Sequence, residues 1–265
     1  MRSIPARRST AVLVSLVVYG FAVDSASAGA LLPERGGSPN ADRIASLYTV
    51  VLILAGIVFT GVAVALAFAL VRYRASRNAV PAQIRGNTRL ELAWTGAATV
   101  LIIFIAVFSL TKFGAIEHPD RADADPVAAA AAGLGDGHST LHIRVVGRQY
   151  IWMFKYPNGA ISYQELVAPV GVTVKLDISS LDVAHSWWIP KLGGKFDAIP
   201  GYVSHTWFRL ERAGVFRGQC AELCGRNHAD MTAKVRGVAP AQYARWVLAQ
   251  KKLMTEADRA LEDKR

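Results

Sequence analysis

The chain has 265 residues, enough for one folded domain plus membrane segments. Its hydrophobic fraction of 52% and mean hydropathy of +0.26 are high for a wholly water-exposed protein. The net charge of +10 comes without an aromatic-interleaved basic stripe or a nucleic-acid motif, which argues against DNA or RNA binding. Two cysteines, Cys220 and Cys224, are too few for a disulfide framework.

Met1 to Ala28 reads as a secretory signal, with Arg2, Arg7 and Arg8, a short apolar run from Ala11 to Val23, and small residues at Ala26-Ser27-Ala28. A transmembrane hairpin is expected over 29–120. Its charge-free apolar runs are Leu47 to Val71 and Leu92 to Leu110, with helices predicted at about 47–71 and 92–113. Between the runs lie Arg72, Arg74, Arg77, Arg85 and Arg89, with no acid in the loop. Arginine in a short connecting loop marks the cytoplasmic side, so everything C-terminal to the hairpin should lie outside the cytoplasm.

Residues 121–139, rich in Ala, Gly and Asp, read as a linker without strong structure. From Thr140 the pattern alternates, in Leu141–Val145 and Val172–Leu176, with similar runs at Val203–Leu210 and Met231–Val238. Short β-branched runs punctuated by Gly and Pro predict an all-β sandwich over 140–238. A helical tail follows over 239–265, with Tyr243, Trp246, Val247 and Leu253 on one face. The fold class expected is a membrane-anchored α+β chain.

The strongest chemical signal is Cys220-Ala-Glu222-Leu-Cys224-Gly-Arg-Asn-His228-Ala-Asp-Met231, with His185 standing 35 residues before Cys220. Thiolate, imidazole and thioether are soft or borderline ligands, a mixture that suits copper better than magnesium or calcium. A mononuclear blue-copper site uses one Cys, so a second thiolate points to a pair of coppers bridged by sulfur. A loop disulfide or a structural zinc site are the competing readings of the same residues.

The sequence resembles subunit II of bacterial cytochrome c oxidases. The likeness rests on Arg85-Gly-Asn-Thr-Arg-Leu-Glu91-Leu-Ala-Trp94-Thr95, Asp182-Val-Ala-His185-Ser-Trp187, Phe196-Asp197-Ala-Ile-Pro200-Gly201 and the Gly218–His228 segment. The resemblance implies a cupredoxin-like domain holding a binuclear copper centre, CuA. His185 and His228 would each bind one copper, Cys220 and Cys224 would bridge, and Met231 and the Glu222 carbonyl would be the weak ligands. It also implies that the Glu222 side chain reaches a magnesium or manganese ion at the boundary with subunit I. Glu91 is implied at the mouth of a proton channel. The implied partners are subunits I and III, membrane lipid and a cytochrome c donor, with the copper domain on the periplasmic side of the cell membrane. Oxygen reduction and proton pumping would belong to subunit I. A quinol oxidase subunit without copper, and a membrane-tethered copper protein, are the alternatives.

Two departures stand out. In Gly147-Arg148-Gln149-Tyr150-Ile151-Trp152, Tyr150 occupies the place of the family's electron-accepting tryptophan, and electrons are expected to enter there. Thr140 to Val238 carries twelve Lys or Arg against seven Asp or Glu, unlike an acidic face made for a basic donor. Asp182 and Asp197 are the expected sources of any local acidic patch.

Overall fold

The computed structural model describes residues 32–78, 80, 82–119, 125–134 and 140–262; the expected signal segment lies outside them. Helix α1 runs Pro39–Arg72 and α2 runs Thr88–Glu117. Both are longer than their apolar runs. Pro39 opens α1, where a missing N–H costs nothing. Asn87 caps α2 by accepting the Leu90 N–H at 3.2 Å. The most apolar stretch of each helix has no buried residue in the isolated chain, as lipid- or partner-facing helices require.

Ten strands follow. These are β1 (Thr140–Arg148), β2 (Ile151–Lys155), β3 (Ile161–Tyr163), β4 (Glu165–Pro169), β5 (Thr173–Ser180), β6 (His185–Trp188), β7 (Phe196–Ala198), β8 (Ser204–Arg209), β9 (Gly214–Cys220) and β10 (Thr232–Val238). They form two five-stranded sheets, in the orders β3-β2-β1-β5-β8 and β4-β10-β9-β6-β7. β1 pairs in parallel with β5, and β10 with β4; the remaining pairings are antiparallel. The alternation in sequence becomes the core: Leu141, Ile143 and Val145 from β1 and Val174, Leu176 and Ile178 from β5 are all buried between the sheets. The architecture is a two-helix membrane hairpin followed by a cupredoxin-like sandwich.

Within 121–139, expected to lack structure, Pro126–Ala131 forms a short helix, α3. Asp125 caps it, accepting the N–H groups of Val127 and Ala128 at 2.9 and 3.1 Å. Ala128, Ala129 and Ala132 are buried, so the alanines that read as filler are packing residues. The C-terminal helix α4 spans Pro240–Glu262 and lies on the sandwich. Tyr156 meets Trp246 edge-on at 5.1 Å between centroids and Tyr243 at 6.4 Å. Leu253, expected on the packed face, is 60% exposed. Gln250 and Met254 hold that end instead, bonding the Ile161 carbonyl and N–H at 2.8 and 2.9 Å.

The sandwich sits at the open end of the hairpin. Trp207 on β8 donates its indole N–H to Ile116 O near the end of α2, at 2.9 Å. Asn40 near the start of α1 donates to Trp207 O at 3.2 Å, and the Arg43 guanidinium lies 5.7 Å from the Trp207 ring. The arginine loop is therefore at the opposite end from the sandwich, the arrangement that the charge asymmetry predicts for an extracytoplasmic domain.

Candidate metal centre

The end of β9 and the starts of β10 and β6 meet at one end of the sandwich. β9 ends on Cys220 and β10 begins after Met231, and the Cys220 N–H donates to Met231 O at 2.9 Å. The Ala221 N–H donates to Ser186 O, also at 2.9 Å, which ties the loop to β6 just past His185. The loop then turns back over itself, and His228 opens a 3-10 turn, His228–Asp230.

The Sγ atoms of Cys220 and Cys224 are 3.9 Å apart, so the pair is reduced rather than a disulfide. His185 Nδ1 is 3.8 Å from Cys220 Sγ, and His228 Nδ1 is 3.6 Å from Cys224 Sγ. Met231 Sδ is 3.8 Å from Cys224 Sγ, and the Glu222 carbonyl oxygen is 3.3 Å from Cys220 Sγ. All six sequence-expected copper donors thus surround one spot. His185, both cysteines and Met231 are buried, and His228 is half-buried. The ligating atoms of His185, Cys220 and Cys224 lie within 4.8 Å of one another.

The donor set fits a bridged pair of soft cations. Burial, and next the neighbouring Cys220, push the Cys224 thiol up to about 11. Two adjacent thiols in so dry a place do not ionise together unless a cation compensates them. Zinc sites draw on Cys, His and carboxylate, and a thioether at the edge of the cluster favours copper.

Sequence reading missed the residues that hold His185. Asp182 Oδ1 bonds His185 Nε2 at 2.9 Å, leaving Nδ1 to face the thiols. Asp182 also accepts the N–H groups of Gln149 and Val183, at 2.8 and 2.7 Å. Partial burial raises the Asp182 pKa, but these N–H bonds and the histidine outweigh it and bring it to about 2. This carboxylate is therefore engaged within the site, and the expected acidic surface patch loses one of its two members. The Trp152 ring stands 5.9 Å from the His185 ring, and Gly147 leaves room for that ring: a Cβ there would lie 3.0 Å from His185 Cδ2. The spacing Asp-x-x-His was the available signal for Asp182.

Tyr150 lies in the β1–β2 turn, half-buried and packed on the core. Its hydroxyl reaches the Cys220–Met231 loop, 2.7 Å from where a Cβ on Gly225 would stand. Gln149 beside it donates to Cys224 O at 2.6 Å. The Glu222 side chain is exposed. Glu91, far from this site in the first turn of α2, accepts the Asn87 N–H at 3.3 Å and so has a capping role of its own.

Both parts of the chain are similar to known proteins. The family model for the periplasmic domain of cytochrome c oxidase subunit II matches residues 161–238, and the one for its transmembrane domain matches residues 26–111. Cytochrome c oxidase subunit 2 of Alkalihalophilus pseudofirmus is 38% identical over 177 residues, 66% of this chain and 48% of that relative, so the chain spans about half its length. The Cereibacter sphaeroides subunit 2 is 30% identical over 262 residues, 81% of this chain and 80% of that one. Among solved structures, the periplasmic domain of subunit II from Bradyrhizobium japonicum is 34% identical, with a TM-score of 0.41 over 42% of this chain and 94% of that one. Similarity across four fifths of a full-length relative, over both the hairpin and the sandwich, means that the chain belongs to the cytochrome c oxidase subunit 2 family.

Proposed function

We propose that the chain is the electron-accepting subunit of a cytochrome c oxidase in the cell membrane, with its sandwich on the periplasmic side. It takes electrons from a cytochrome c and delivers them to haem in subunit I, where oxygen is reduced to water and protons are pumped; subunit III completes the set of expected neighbours. The observation that carries this reading is the buried cluster of two free thiols, two imidazole nitrogens, a thioether and a carbonyl at one end of the sandwich. His185, Cys220, Glu222 through its carbonyl, Cys224, His228 and Met231 would hold the CuA pair. Bound there, the two coppers supply a one-electron site whose charge is shared between them.

The protein's own residues preorganise that site. Asp182 fixes the tautomer of His185, and Trp152 and the missing side chain at Gly147 fix its ring position. Burial of the cysteines excludes water and competing oxidants. Tyr150, against the copper loop, is the proposed point where electrons enter. The exposed Glu222 carboxylate is a hard oxygen donor suited to a magnesium or manganese ion at the subunit I boundary. Glu91, at the arginine-rich end of the hairpin, is proposed at the mouth of the proton channel, beside its capping role.

The test is complementation. A strain lacking this chain should regain cytochrome c-dependent oxygen uptake when the wild-type chain is supplied, and should not regain it with Cys224→Ser. Full recovery with Cys224→Ser would show that the cluster does not carry the electrons.

A further inference from the structure

The outward face of the β1–β2–β3 ribbon adjoins Tyr150. Along β1, Arg144 and Arg148 point outward and are exposed. On β2 the outward residues are Ile151, Met153 and Lys155. The register sets Arg148 beside Ile151, Arg144 beside Lys155, and Met153 beside Tyr163, which is 57% exposed. Apolar Ile151, Met153 and Tyr163 thus form a centre with cations at both ends. At about 3.3 Å per residue and about 4.8 Å between strands, the patch spans roughly 13 by 10 Å.

Among the described residues, Arg144, Arg148 and Lys155 have no ion-pair partner. Arg144 directly faces Lys155, a like-charge pair that costs sheet stability. Carboxylates on adjoining segments have partners of their own: Asp177, across from Arg144 on β5, bonds His205 at 2.8 Å, Asp182 turns to His185, and Glu165 pairs with Arg236 at 3.1 Å. Glu222 and Asp230 are exposed, but they belong to the loop of the second sheet.

We propose that this face is the docking surface for the electron donor, and that the donor is a haem protein whose exposed haem edge is ringed by carboxylates. The proposal rests on the electron-accepting reading above. An apolar centre within a charged rim fits a small, transient electron-transfer contact. The sign of the rim selects an acidic partner and repels a lysine-ringed one. The patch abuts Tyr150, whose neighbour Gln149 is bonded to Cys224 O, so the docked donor would sit one residue from the copper loop.

The purified full oxidase would be reduced in stopped flow at low ionic strength by two probes, an acidic c-type cytochrome and a lysine-rich basic one. The acidic probe should react faster, and its second-order rate constant should fall as salt is added. Arg148→Glu with Lys155→Glu should lower that rate constant by roughly tenfold and raise the rate with the basic probe. Reduction by a small uncharged mediator, and the copper spectrum, should not change. A faster basic probe slowed by salt, or rates unmoved by the double substitution while the mediator still reduces copper, would overturn the docking proposal alone. A preparation that carries no copper, or whose copper no mediator can reduce, would refute the electron-accepting reading and this proposal with it.

Discussion

Gly147→Ala tests whether His185 is held by packing as well as by its hydrogen bond. A methyl at residue 147 would stand 3.0 Å from His185 Cδ2, 3.2 Å from its Cγ and 3.2 Å from Trp152 Cζ3, where ordinary contact begins at 3.4 Å. The backbone of Gly147 lies within a regular strand, so crowding is the main source of any cost. The His185 ring must retreat by about 0.4 Å, the difference between the two distances. Trp152 is fully buried and cannot yield freely. Overpacking of this kind costs about 1–3 kcal/mol. The retreat also strains the 2.9 Å bond to Asp182, so the copper environment should change although no ligand is lost. Thermal unfolding of the detergent-solubilised chain, with and without copper, should show a lower Tm for the variant. Copper hyperfine splitting should shift in the same sample. Unchanged stability together with an unchanged spectrum would refute the claim that Gly147 and Trp152 position the ligand.

Asp182→Ala removes the partner of His185 Nε2 and should weaken copper binding by about 10–100-fold in a chelator competition. Tyr156→Phe deletes a buried hydroxyl that accepts the Val167 N–H at 2.8 Å, and should cost about 1–3 kcal/mol in denaturant unfolding. Burial, the dominant influence, raises Tyr156 from 10.0 to about 12, so its contribution to stability is intact below pH 10 and lost as pH rises towards 12; the phenylalanine variant should lack that part of the alkaline loss. Trp207→Phe removes the indole bond to Ile116 O and should loosen the sandwich from the hairpin, read as faster hydrogen exchange at the end of α2, residues 114–117.

The sandwich was legible wherever one strand face is buried. Leu141, Ile143 and Val145 alternate because His142 and Arg144 face outward. The candidate metal cluster was legible because five of its six proposed donors fall within twelve residues and their softness restricts the metal. Less visible was what depends on contacts far apart in sequence. Asp182 looked like a surface acid until Gln149, 33 residues away, donated to it. The α3 alanines carry no periodic signal; Ala128 packs beside Gly171, and the short helix also lies against α4. Leu253 was placed on the packed face by periodicity, but β3 ends early and α4 meets it through Gln250 and Met254. Nothing local to Trp207 indicated that it seats the domain on the membrane helices.

The central claim is that Cys220 and Cys224 bridge two coppers. The most direct measurement is copper stoichiometry with EPR on the purified full-length chain. The account predicts two coppers per chain and a delocalised mixed-valence signal, with the signal lost in Cys220→Ser. One copper with a localised mononuclear signal, or a metal-free chain under loading conditions, would contradict it.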